Sequence, residues 1–96
     1  MMETQKIMLA GQEFEIPVLS PKQNRIIVPA MVRLGDSDPR TRYDALLDIV
    51  FTALTRARPD LNRDEFDNMQ IKTSELYAAV PVIQQQAGIS QPKKAE

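Results

Sequence analysis

The chain has 96 residues, enough for one domain, and 43% of them are hydrophobic against 26% charged, an ordinary balance for a folded protein. Twelve Lys and Arg stand against thirteen Asp and Glu, a formal net charge of −1, which argues against nucleic-acid binding driven by overall positive charge. There is no Cys and no His, which rules out a disulfide framework, a thiolate metal site and an intrachain Ser-His-acid triad.

The first nine residues include Glu3 and Lys6 and lack the apolar core of a signal peptide. No stretch approaches the ~20 apolar residues that span a bilayer. A cytoplasmic protein without a membrane segment is expected. Gln5 to Ile16 then reads as two short runs around Ala10-Gly11. In the second run Glu13 and Glu15 alternate with Phe14 and Ile16, the period of a half-buried strand. Gly11 suits a tight turn, so a β-hairpin is predicted over about residues 5–9 and 12–17. An isolated hairpin is marginal in water, so its Phe14/Ile16 face must pack on helices or lend an edge to another chain.

Ser20-Pro21 pairs a capping hydroxyl with proline at a first helical position. Ile26, Ile27, Ala30, Met31 and Leu34 follow at helical spacing, predicting a helix over about 21–34 that Pro29 kinks. The β-branched run Arg25–Val28 is also compatible with a strand. Asp38-Pro39 opens the longest helical pattern, about 39–58, and Pro59 ends it. At about 100° per residue, Tyr43, Leu46, Leu47, Val50, Phe51, Leu54 and Ala57 share one side. Asp44, Asp48, Thr52 and Thr55 share the other, read as solvated. Ile49 and Ala53 lie beside the apolar stripe and widen it.

Asn62 and Glu65 have the spacing of a capping box, starting a short helix over about 63–69 with Phe66 and Met69 inward. Asp60, Asp64, Glu65 and Asp67 lack the glycine and terminal glutamate of a calcium loop, and are read as helix-start acids. Thr73 or Ser74 caps a last helix over about 74–87, which Pro81 kinks or splits and Gly88 stops. The expected fold is mainly α with a small N-terminal β-hairpin (α+β): three to four helices around a long central one. Residues 1–89 form this single domain, and residues 90–96 a flexible polar tail.

No convergent catalytic set emerges, so no catalytic, cofactor or metal residue is assigned. Lys22, Arg25, Arg33, Arg40 and Arg42 make a loose basic set without interleaved aromatics, which reads as helix solvation rather than a single-strand binding surface. The broad stripe reads first as core, since so short a chain needs nearly every large apolar residue it has; if part of it meets a partner, that part is Ile49 and Ala53, with Phe14 and Ile16 of the hairpin.

One run, A-L-T-R-A-R-P-D-L-N-R-D-E-F (Ala53 to Phe66), together with E-L-Y-A-A-V-P-V-I-Q-Q-Q-A-G-I (Glu75 to Ile89), resembles the small tail assembly chaperones of bacteriophages and prophages. The preceding segment Pro17-Val18-Leu19-Ser20-Pro21-Lys22-Gln23-Asn24-Arg25 is similar to that group's P-x-L-x-x-x-Q-x-R pattern. The resemblance covers about residues 5–89. Asn62 stands where Thr is usual and Phe66 where Leu is usual, and both keep the physical role. What the resemblance implies is a non-enzymatic role: binding the tape measure protein and helping to recruit tail tube subunits in the bacterial host cell. It also implies a frameshifted longer form, for which Lys93-Lys94 is compatible with a slippery codon pair. The chain is in addition a candidate homo-oligomer. A head–tail connector or tail completion subunit is the alternative reading, and a small DNA-binding regulator a further one.

Overall fold

A computed structural model describes residues 4–89. The polar tail and Lys93-Lys94 lie outside these residues. Six elements follow in order: strands β1 (Gln5–Leu9) and β2 (Gln12–Ile16), then helices α1 (Pro21–Arg33), α2 (Pro39–Ala57), α3 (Arg63–Asp67) and α4 (Thr73–Ala87). The fold is mainly α with a small N-terminal hairpin.

The strands pair antiparallel with Ile7 opposite Phe14 and Lys6 opposite Glu15. Ile7, Leu9, Phe14 and Ile16 therefore share the inner face and are buried, while Lys6, Met8, Glu13 and Glu15 point outward. The turn places Ala10 at φ 54° and Gly11 at φ 75°. Two successive left-handed residues match a two-residue hairpin loop of the primed type, whose twist suits the strands. The hairpin packs β1 on α4 and β2 on α2.

Each helix start has a specific chemistry. At α1, the Gln23 side chain accepts the Ser20 N–H at 3.0 Å and the Ser20 hydroxyl, closing a capping box over Pro21. Asp38 accepts the Arg40 N–H at 3.0 Å ahead of α2. Asn62 and Glu65 form the reciprocal box of α3, at 2.8 and 3.3 Å. In α4 neither Thr73 nor Ser74 is the cap. The helix begins at Thr73, and the Glu75 carboxylate accepts the Lys72 N–H at 2.9 Å, holding the entry from the third helical position.

Both internal prolines sit on exposed positions of continuous helices. A proline lacks the N–H that its i−4 carbonyl would receive, leaving those of Arg25 and Tyr77 without a helical partner. Both residues are exposed, so water can satisfy what the proline removes. Pro81 accordingly does not split α4, and Arg25–Val28 is helix rather than strand. Past the end of α4, Gly88 adopts φ 73° and the Ile89 N–H returns to the Gln84 carbonyl at 3.0 Å.

The core is one cluster fed by every element. On α2 its members are Ala45, Leu46, Ile49, Val50, Ala53 and Leu54, joined by Thr52. On a helical wheel this buried arc centres near Ala53, about 80° from the expected centre of the stripe. Two expectations therefore change. Thr52, expected on the solvated face, is buried, and Tyr43, Leu47 and Phe51, expected in the stripe, lie at the edge of the buried arc, Tyr43 exposed and the other two half-buried.

Polar bonds tie the end of α4 to β2 and α1. The Gln86 amide donates to the Ile16 carbonyl at 2.8 Å, and the Leu19 N–H donates to the Gln86 carbonyl at 2.9 Å. Asn24 donates to the Ala87 carbonyl at 3.0 Å, fastening α1 to the end of α4.

Candidate partner-binding surface

The four residues expected to meet a partner are all inside. Ile49, Ala53 and Ile16 have no exposed surface and Phe14 keeps 6%. Ile49 and Ala53 widen the stripe because α2 is covered on more than one side, by α1, α4 and β2. Fully buried side chains offer nothing to a partner, so the surface must be sought elsewhere.

Exposed apolar side chains concentrate on α1. Ile26 is 49% exposed, Val28 46% and Val32 76%, and Pro29 lies among them. On the helical wheel these four flank Arg25 on the side opposite Ile27 and Ala30, which are buried. Lys22, Arg25 and Arg33 are the only charged residues of α1, so the helix carries three cations and no carboxylate. Of these residues only Ile26 belongs to the helical apolar pattern expected from the sequence; Val28 falls in the β-branched run, and Lys22, Arg25 and Arg33 in the loose basic set. The missed signal is that Ile26, Val28 and Val32 leave Ile27's side of the wheel and join the basic residues.

A second feature is a cleft of about 400 Å³ between α2 and the α3–α4 segment. Leu47, Phe66, Met69, Ile71 and Leu76 supply its apolar lining, and Tyr43, Asp44, Arg63 and Asp67 its polar part. The cleft exists because the stripe of α2 is broader than its neighbours cover. Phe51 meets Phe66 beside it at a centroid distance of 5.4 Å, tilted by 56°.

Arg63 organises the polar side. It donates to Asp67 at 3.1 Å and to Asp48 at 3.2 Å, and its guanidinium lies 5.4 Å from the centroid of the Phe51 ring. Desolvation works against its charge, but the hydrogen bonds from Asp67 and Asp48 outweigh it and hold the guanidinium above its ordinary pKa. Asp48 also takes Arg33 at 3.2 Å, so it links the end of α1 to α3 through the face of α2. Sequence reading placed Asp48 with Asp44 on a merely solvated face. Asp44 is exposed and, among the described residues, has no ion pair.

A third concavity, about 510 Å³ and open to solvent, lies between β2 and the end of α2. Its charges balance, with Glu13 and Glu15 against Arg56 and Arg58. Arg56 is spent on the Val18 carbonyl at 3.2 Å, and Arg58 lies 6.0 Å from the centroid of the Phe14 ring. Among the described residues no group of three or more acidic side chains is placed to hold a metal ion. No described helix is long and apolar enough to cross a membrane.

Several of the residues that carry the resemblance have structural tasks in this architecture. Leu19, Leu54, Leu61 and Phe66 are core, Gln23 and Asn62 close capping boxes, and Gly88 ends α4. No family model, curated protein or solved structure matches the chain.

Proposed function

We propose that the protein is a non-enzymatic assembly chaperone of a phage or prophage tail, which holds helical segments of the tape measure protein on the outward face of α1. One observation carries the choice of surface. Val28 and Val32, about 40° apart on the helical wheel, are exposed on one side of Arg25 and Ile26 on its other side, while the core is already complete without them. Exposed apolar side chains interspersed with charge in this way mark a protein-binding surface. The basic residues on the same face select a partner helix that presents carboxylates beside its apolar stripe.

The assignment of the partner follows the resemblance over Ala53–Phe66, Glu75–Ile89 and Pro17–Arg25. A non-enzymatic role agrees with a chain that has no His or Cys and whose described clefts hold no convergent acid–base pair. The test is coexpression with the tape measure protein encoded beside it. The expected result is a stable complex and a more soluble tape measure protein. Two separately soluble proteins that never co-elute would reject the reading.

A further inference from the structure

We infer that the outward face of α1 and the cleft lined by Leu47, Phe66 and Ile71 are the two halves of one interface, so that α1 of one copy docks in the cleft of the next. The two surfaces match in polarity. One offers Ile26, Val28 and Val32 as exposed apolar side chains, and the other an apolar hollow of about 400 Å³. They also match in charge. Among the described residues Lys22 and Arg25 have no ion pair, and neither does Asp44 at the cleft. Arg63, the only cation among the described residues that line the cleft, is already shared between Asp48 and Asp67, so the free charge they leave there is negative.

The same charges argue against α1 meeting its own copy. A symmetric α1–α1 contact would bring the cations of a helix without carboxylates together, and like charges in apposition cost affinity. No residue lines both surfaces, so the contact is head-to-tail. It leaves one free α1 and one free cleft after each addition, and growth continues to a closed ring or an open filament. The inference goes beyond the proposed function and does not rest on it. Because both use α1, a bound partner helix and a second copy would exclude one another.

The test needs only the purified full chain. Sedimentation velocity from micromolar to near-millimolar concentration should show species beyond the dimer, receding as salt is raised. Arg25→Glu and Asp44→Lys replace exposed residues, so each should keep its helical circular dichroism and its melting temperature. Each should weaken self-association about tenfold or more, the equivalent of about 1.4 kcal/mol. Mixed in equal amounts they should associate again, because the intact α1 face of the Asp44→Lys protein meets the intact cleft of the Arg25→Glu protein and the two reversed surfaces carry opposite charges. A wild-type chain that stays monomeric throughout, variants that associate as the wild type does, or a mixture that remains monomeric would overturn the inference. All of these outcomes are read on the chain alone, so failure here leaves the coexpression test of the proposed function standing.

Discussion

Replacing Ile49 with alanine tests the placement of α2 most sharply. Ile49 has no exposed surface and sits in the middle of the cluster that joins the hairpin to α1 and α4. Isoleucine exceeds alanine by three carbon groups, and at ~0.8 kcal/mol for each buried one the transfer cost is about 2.4 kcal/mol. The void left behind adds to this, since packed neighbours relax only in part, which brings the expected loss to about 3–4 kcal/mol. A domain of this size has on the order of 5–14 kcal/mol in all. The variant should therefore fold but unfold much earlier in urea. With a slope of about 1.5 kcal/mol/M the midpoint falls by roughly 2 M. Helical circular dichroism against urea reads this directly, with Val32→Ala as the control. Val32 is 76% exposed, and its truncation should stay within about 0.5 kcal/mol of the wild type. If Ile49→Ala shifted the midpoint no more than the control does, Ile49 would be a surface residue and the packing of α2 described above would be wrong.

The carboxylate of Glu75 accepts the N–H groups of Lys72 and Ala10, which holds its pKa below the ordinary value of 4.5. A depressed carboxylate pKa stabilises the fold fully above the unfolded value and loses that effect as pH falls through the folded one. Glu75→Gln should thus melt below the wild type at neutral pH, with the gap closing in acid; a gap that is constant from neutral to acid pH would contradict this. Asp48→Ala removes a carboxylate shared by Arg33 and Arg63 and should cost about 1 kcal/mol at low salt, shrinking in high salt as expected for partly exposed pairs. Urea titrations at the two salt levels measure both quantities. Ala10 has φ 54°, a region that costs an ordinary L-residue about 1–2 kcal/mol and asparagine less. Ala10→Asn should raise stability by about 0.5–1 kcal/mol, and a lower melting temperature would refute the turn geometry.

Most of the fold is legible in the sequence because its signals are local. Alternation at Glu13–Ile16 gives the strand, Asp38-Pro39 and Asn62/Glu65 give helix starts, and Gly11 and Gly88 give chain reversals. What is not legible depends on which neighbour covers which side. The stripe of α2 was weighted toward its large residues, Tyr43, Leu47 and Phe51. In the fold the small residues Ala45 and Ala53 lie at the buried side with Ala30 of α1, and small side chains let helices approach closely. That rotation moved Ile49 and Ala53 from the edge to the centre, and opened the cleft on the flank where the large residues lie. The exposed side of α1 is only partly legible: the wheel puts Val28 and Val32 beside Arg25, but Ile26 fits the helical apolar pattern, and the position of α2 decides that it remains outside. Glu75 as a cap is likewise hidden, because Thr73 and Ser74 are the better capping residues by type.

The outward face of α1 is the proposed seat of the partner helix. Copurification of the tape measure protein with Val32→Asp and with Ile49→Ala separates this face from the core, under conditions where both variants remain folded. Val32→Asp, stable but altered at the surface, should lose the tape measure protein, while Ile49→Ala, weakened in the core, should retain it. Retention by Val32→Asp at the wild-type level, with loss by Ile49→Ala, would contradict that placement.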